Sequence, residues 1–366
     1  MLLLFVVMFT LLVTRNHYRK LAESGDWKVL CVDQNMALTS PVAADGLLMK
    51  NNTLPGEWLP FDTSQLSQNE SDRRIFFHET SGRINLTMRQ TCAIESVAKH
   101  NPDRPVHLFF RPANSCSGTT STSFYYNPLW LEILSGYPNV AAVLLNHDHY
   151  FIGTPLEKWY DIGEWRNSPF STAHLSDYIR ILSLYKSGGL YSDLDILTLR
   201  PYSGKQFRNF LSYDSTNMDV IINTVMHLER GHWLTVEIMR LLSAEYDPND
   251  YAYHGPQAVS AVMQSSCGMK QGDPSSNNCY DLRVLPSYYF FPIERPFSGV
   301  FYETAREPPG SNFLAKMNNH SYGAHLWNSM TGSQKALHRD YDQVFTVLAR
   351  LHCPLTMARA AQFHAL

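Results

Sequence analysis

The stretch that most restricts this chain is "FSTAHLSDYIRILSLYKSGGLYSDLDILTLRP", residues 170–201. Leu175, Ile179, Leu182 and Tyr185 recur at helical spacing and predict one apolar stripe. Lys186 stands in the last turn, and Gly188 or Gly189 supplies the left-handed residue that ends a helix. The run "LYSDLDILTL" then predicts a strand that Pro201 stops. A helix feeding directly into an apolar strand is half of a βαβ unit. The flanking sequence repeats the theme. "RRIFFHETS", "PVHLFF" and "NVAAVLLN" predict strands, and "TMRQTCAIESVAKHNPD" predicts a helix with Met88, Cys92, Ala93 and Val97 on one face. Further on, "DVIINTVMHL" predicts a strand, "HWLTVEIMRLLSAE" a helix, and "HGPQAVSAVMQS" a helix with Pro256 in its first turn. This alternation predicts an α/β fold with a mostly parallel, Rossmann-like sheet.

Asp193 and Asp195 interrupt that apolar run. On a strand, residues two apart point the same way, so the two carboxylates share a side and Leu194 faces the core. Near the C-terminal end of a strand they face the crevice where open α/β sheets bind ligands. Two hard oxygen donors suit Mg²⁺ or Mn²⁺ and leave positions open for phosphate oxygens. Taken bare, a D-x-D is more often a strand-end pair facing water. Phosphatases that use the first Asp of D-x-D as nucleophile normally place several apolar residues directly before it. Here Gly188, Gly189, Leu190, Tyr191 and Ser192 stand there. Asp177 and Arg180, three apart on the preceding helix, are a surface ion pair if viewed alone, or line the same cleft.

The formal charge of -3, without a long basic run, argues against nucleic acid as a partner. With 13% aromatic and 17% charged residues the chain is globular rather than disordered. Residues 1–13 carry no charge, and as a helix they span about 20 Å, short of the ~30 Å hydrocarbon core. Basic residues follow this segment, which reverses the usual order of a signal peptide and by the positive-inside rule points the main chain to the cytosol. An incomplete signal-anchor, a short anchor as it stands and a cleaved signal all stay open. Sequons at Asn51, Asn69, Asn85 and Asn319, and six cysteines without metal-ligand spacing, favour a lumenal chain. Cys267 and Cys279 can close a short loop. Residues 14–72 lack periodicity and read as a stem, which places the catalytic domain at 73–366.

"LSDYIRILSLYKSGGLYSDLDIL" resembles the DXD signature of the retaining α-1,4-glycosyltransferases. "IFFHETS", "CAIESVAKHNPD", "TPLEKWY", "HGPQAV", "YGAHLWN" and "LHCPLT" follow in that family's order, from about Arg73 to about Thr356. The galactosyltransferase branch is the nearest in pattern. The resemblance implies a GT-A type fold, a UDP-sugar donor, Mn²⁺ (or Mg²⁺) and a type II, single-pass Golgi membrane protein with a lumenal catalytic domain. It also implies a glycosphingolipid acceptor such as lactosylceramide. By the same resemblance, Asp193 and Asp195 hold metal and diphosphate, and His325 is the third metal ligand. Asp177 and Arg180 touch the donor sugar, Asn223 approaches it, and Thr80 and Ser81 sit where uridine binds. His254 and Gly255, with Pro256, lie on the acceptor side. Taken alone, His325 is a packed histidine, and the "HGP" segment simply starts a helix. Cys31 and Cys116 have no partner in the family pattern, and the short anchor departs from it. "SYYFFPI", residues 287–293, reads as a buried strand or as an aromatic surface for sugar or lipid. Two alternatives remain open: the same scaffold with UDP-GalNAc or UDP-GlcNAc as donor, and a non-catalytic lumenal sugar-binding protein.

Overall fold

Alternate residues of the strand Ile75–Glu79 feed two separate cores. Ile75 and Phe77 join a cluster with Val97, Leu108 and Phe345, whereas Phe76 joins another with Tyr178, Ile238 and Met239. A strand buried on both faces must do this, because successive side chains point to opposite sides. The computed structural model describes residues 46–49, 58–83, 85–111, 128–218, 220–270, 272–273, 277–332 and 342–363. Within them a ten-stranded sheet has helices packed on both faces.

In chain order the strands are β1 Gly46–Met49, β2 Trp58–Phe61, β3 Ile75–Glu79, β4 Val106–Phe110, β5 Val140–Leu145, β6 Gly189–Ser192, β7 Ile196–Thr198, β8 Phe210–Tyr213, β9 Ile221–Leu228, β10 Asn278–Cys279, β11 Leu282–Leu285 and β12 Gly323–His325. The helices used below are α1 Met88–His100, α2 Ser171–Ser187, α3 Trp233–Ala244, α4 Ala258–Cys267, α5 Val344–His352 and α6 Pro354–Phe363. The sheet order is β10-β11-β8-β9-β6-β3-β4-β5-β1-β2. The expected α/β sheet is present, with β6, β3, β4 and β5 forming its parallel centre. Parallel pairing does not extend throughout, so the whole sheet is mixed. β9 and β8 run antiparallel on one side, β1 and β2 on the other, and β11 returns parallel to β8.

The chain lays down β3, β4 and β5 in one direction, then returns through α2 to place β6 on the opposite side of β3. The order reverses between β3 and β6, and the crevice at their C-terminal ends is the switch point where such sheets bind ligands. Gly188 makes this return possible. Its φ of +63° ends α2, and a Cβ there would lie 2.5 Å from the Arg230 nitrogen.

One boundary moves. β1 and β2 lie in the segment read as a stem, yet β1 pairs with β5, Gly46 opposite Leu145. The folded unit therefore reaches back to residue 46. Runs as short as "GLLM" and "WLPF" are too brief to display a period of two. The segment 1–13, Asn51, Cys31 and Cys116 lie outside the described residues. Among the described residues no helix is long and apolar enough to cross a membrane.

The C-terminal part is fastened back onto α1. Cys92 of α1 is bonded to Cys353, 261 residues away, and Cys267 is bonded to Cys279 as its spacing allows. Buried Glu95 of α1 accepts hydrogen bonds from the Leu355 and Thr356 nitrogens at 2.8 and 2.7 Å. Its carboxylate thereby caps the N-terminus of α6, where the helix dipole favours negative charge. α1 itself begins with a capping box, Thr87 and Gln90 each accepting from the other's nitrogen.

Several histidines sit in this interior uncharged. Burial, aided by Arg74, holds His107 down to about 3. Burial with Arg111 does the same to His147, and burial holds His227 down to about 4. Each folded-state value lies below the ordinary 6.5. The stability these residues contribute is therefore present above pH 6.5 and is lost as pH falls toward 4 and below. The urea unfolding midpoint should decline steadily between pH 6.5 and 4. A flat midpoint across that window would contradict the buried, neutral assignment.

Candidate functional site

Asp193 and Asp195 do not lie within one strand. β6 ends at Ser192, the chain turns through Asp193–Asp195, and β7 begins at Ile196 in a second, two-stranded sheet with β12. The turn is closed by the Ile196 nitrogen donating to the Asp193 carbonyl at 3.2 Å. The Asp193 nitrogen donates to Thr224 O of β9 at 2.8 Å, which still ties the turn to the main sheet. Although the turn replaces the expected strand, both carboxylates are on the same side and Leu194 packs against the core.

The change of sheet brings His325 to the pair. β12 runs antiparallel to β7 with His325 opposite Ile196. His325 Nε2 lies 3.2 Å from Asp195 Oδ1. The Asp195 backbone carbonyl accepts from Leu326 at 2.9 Å, and its Oδ2 accepts from the Asn328 nitrogen at 3.0 Å. Ligand atoms of Asp193, Asp195 and His325 lie within 4.8 Å of one another. Trp327 and Phe291 wall the imidazole at centroid distances of 4.2 and 5.4 Å. Burial opposes charge on His325, but Asp195 outweighs it and raises the imidazole above its usual range. Asp195 experiences burial too, and His325 with the Asn328 N–H brings it below the usual carboxylate range. Burial pushes Asp193 up, against the pull of Arg180. Two carboxylates and one imidazole converging on a small space fit a hard-to-borderline divalent cation.

Arg180 is the cation that Asp193 faces on the protein side. Its Nη1 lies 3.2 Å from Asp193 Oδ1 and donates to Asn223 O at 2.8 Å. Its Nη2 donates to Ser176 Oγ at 2.7 Å and lies 3.4 Å from Asp177. The guanidinium lies over the Tyr191 ring at 4.6 Å. Tyr191 was not anticipated from the sequence, yet its hydroxyl donates to Asp193 Oδ1. Its position two residues before Asp193 was the available signal, since both then lie on one side of the chain. Asp177 and Arg180 are therefore not a surface pair: both are buried, and Arg180 links Asp177 to the DXD turn.

Asn223 donates through Nδ2 to Asp177 Oδ1 at 2.8 Å, so its amide holds that carboxylate. Burial pushes Asp177 up to about 6, against Arg180 and the Asn223 amide. Gly255 closes the back of this pair. A Cβ at Gly255 would lie 2.8 Å from both Asp177 oxygens and 2.9 Å from Asn223 Nδ2. Gly255→Ala should therefore displace Asp177 and cut catalytic activity about tenfold or more, while divalent-cation affinity at the Asp193–Asp195–His325 cluster stays unchanged. Equal loss of metal affinity would mean that Gly255 supports the whole site rather than Asp177.

The remaining expected residues are placed differently. Pro256 lies inside a π-helical turn, Tyr253–Gln257, which runs on into α4. His254 is buried among His174 and Tyr246, at 4.5 and 4.7 Å, and its Nε2 accepts from the Asp247 nitrogen at 3.1 Å. Its contacts hold a loop and include neither Asp193 nor Asp195. Thr80 and Ser81 follow β3 at the switch point, where Thr80 Oγ1 donates to Thr172 O at 3.0 Å and Ser81 Oγ to Glu79 at 2.8 Å. "SYYFFPI" is not a strand: Ser287–Tyr289 is a 3₁₀ turn, and Phe290 and Phe291 enter the core behind His325.

Comparison with known proteins follows the same residues. A "Glycosyltransferase sugar-binding region containing DXD motif" matches residues 87–217, and an "Alpha 1,4-glycosyltransferase conserved region" matches 227–360. The lactosylceramide 4-alpha-galactosyltransferase of Rattus norvegicus is 29% identical over 77% of this chain and 74% of its own length. The alpha-1,4-N-acetylglucosaminyltransferase of Homo sapiens is 27% identical over 78% of this chain and 79% of its own. Among solved structures, the galactosyltransferase LgtC with donor and acceptor sugar analogs is 15% identical. That likeness has a TM-score of 0.40 over 78% of this chain and 95% of the other.

Proposed function

We propose that this chain, a member of the DXD-bearing α-1,4-glycosyltransferase family, is a retaining hexosyltransferase that moves galactose from UDP-galactose to a glycosphingolipid such as lactosylceramide. The observation that carries the reading is the meeting of Asp193, Asp195 and His325 beside the β3/β6 switch point. These three would hold Mn²⁺ or Mg²⁺, which when bound supplies positive charge against the leaving diphosphate. Arg180 holds Asp193 in place and opposes the upward shift that burial imposes on it. Asp177, held by Asn223 and backed by Gly255, offers a carboxylate to hydroxyls of the donor hexose. Thr80 and Ser81 stand on the side of the crevice assigned to uridine. In the transfer, the bond between the anomeric carbon and a diphosphate oxygen breaks. The acceptor 4-hydroxyl oxygen bonds that carbon from the same face, and its proton passes to the departing diphosphate, so the α configuration is kept. No side chain is assigned as nucleophile.

Two disulfides and exposed sequon residues Asn69, Asn85 and Asn319 support a lumenal location. We place the protein in the Golgi membrane as a single-pass type II chain. Its anchor lies in 1–13, its stem follows, and its catalytic unit includes β1. Full-length protein incubated with lactosylceramide, Mn²⁺ and each of UDP-Gal, UDP-GalNAc and UDP-GlcNAc tests this. An EDTA-sensitive α1,4-galactosyl product is expected. A HexNAc product would move the protein toward its N-acetylglucosaminyl-transferring relative. Transfer that EDTA leaves untouched would remove the metal from the reading.

A further inference from the structure

We infer that Tyr251, with Phe170 behind it, is the platform on which the terminal hexose of the acceptor stacks. The inference rests on the glycosyl-transfer reading and adds where the second sugar lies. Tyr251 is 59% exposed, and a single exposed tyrosine carries no meaning by itself. Its mounting is what sets it apart. The Asp250 carboxylate accepts from the Ala252 and Tyr253 nitrogens at 2.8 and 3.1 Å, and the Asp250 carbonyl lies 3.1 Å from His174 Nε2. The backbone before Tyr251 is thus tied to α2, and the backbone after it is tied back to the Asp250 carboxylate. Phe170 meets the Tyr251 ring edge to face, with centroids 5.5 Å apart. The ring is therefore presented in one orientation, with little freedom left to lose on binding.

Its position relative to the site follows from α2. Phe170, at the N-terminal boundary of α2, is followed by His174 and Asp177 at spacings of four and three, the latter two on one face of the helix. Phe170 precedes Asp177 by seven residues, or about 10 Å along the axis. That separation leaves room for a second sugar ring beyond the one that Asp177 contacts. Tyr251 also belongs to the segment that leads into Gly255, which touches Asp177. Partial burial raises the Tyr251 phenol; the carboxylates of Asp177, Asp193 and Asp195 add to the rise, and Arg180 opposes it. A hexose has an apolar C–H face and polar edges. One ring face for the former, with carboxylates nearby for the latter, is the complement it needs.

The test separates acceptor from donor. Transfer to methyl β-lactoside and to lactosylceramide is measured for the full chain, Tyr251→Ala and Tyr251→Phe, beside metal-dependent hydrolysis of the UDP-hexose in water. Tyr251→Ala should raise the acceptor KM about tenfold, and Tyr251→Phe should restore it. The loss should fall on the acceptor and not on donor hydrolysis. An unchanged acceptor KM, or a loss shared equally with hydrolysis, overturns the inference. If the wild type neither hydrolyses nor transfers, the donor reading has failed. The platform is then read from saturation-transfer NMR of methyl β-lactoside alone. Signal present in wild type and Tyr251→Phe and lost in Tyr251→Ala supports it, and equal signal in all three or none in wild type overturns it.

Discussion

Asp195→Asn is expected to reduce metal-dependent transfer by about a thousandfold or more, while the protein stays folded. The substitution is nearly isosteric. An Asn oxygen can still accept from the Asn328 nitrogen, and the backbone carbonyl that receives Leu326 is untouched. What disappears is the charge that pairs with His325 and completes the proposed three-ligand set. The Mn²⁺ titration curve should move to higher concentration, and the thermal midpoint without metal should change little. Near-wild-type kcat/KM at saturating Mn²⁺ would sink the assignment of Asp195 as a ligand. Equal loss of fold and activity would show that the turn, not the charge, is what Asp195 supplies.

Arg180→Met should destabilise the metal-free protein by about 3–5 kcal/mol, the usual cost of removing one partner from a buried ion pair. The side chain is only 7% exposed and serves two carboxylates, Asp193 and Asp177, besides two backbone carbonyls. Methionine keeps the stem and removes every donor. Lysine would keep the charge but cannot span Ser176, Asn223 and Asp193 with one planar fork. Added Mn²⁺ should recover part of the lost stability, because a cation on Asp193 substitutes for the missing one. The metal-induced rise in Tm should therefore be larger in Arg180→Met than in wild type. A variant as stable as wild type, or one that metal does not help, would contradict the compensating role.

Much of this site was legible before any geometry. Asp177, Arg180 and the DXD turn sit in one continuous segment whose helix period, glycine stop and apolar run all agree. Local signals that agree are easy to read. What misled was each place where a distant partner decides. The strand through Asp193–Asp195 breaks because β7 pairs with β12, and nothing within the local run announces β12. β1 was hidden because four residues cannot show a period, and its pairing with β5 comes from far along the chain. "SYYFFPI" had strand composition, but it is drawn into a turn that packs behind His325. His254 was expected on the acceptor side because "HGP" matches the family pattern, with a helix start as the other reading. Gly255 abuts Asp177, while the His254 imidazole turns into the aromatic cluster on α2, beside His174.

The pairing of β7 with β12 also bears on when this protein becomes competent during its synthesis. Asn328, which caps Asp195, lies 133 residues further along the chain, and the Cys92–Cys353 bond closes later still. A ribosome-bound chain that has released all of β3 to β11 still has a two-carboxylate turn without its imidazole. Contacts of such separation also fold slowly. The chain therefore passes through translation without the complete three-residue cluster, and a product that stops before β12 would keep most of the sheet yet never bring His325 to the two carboxylates.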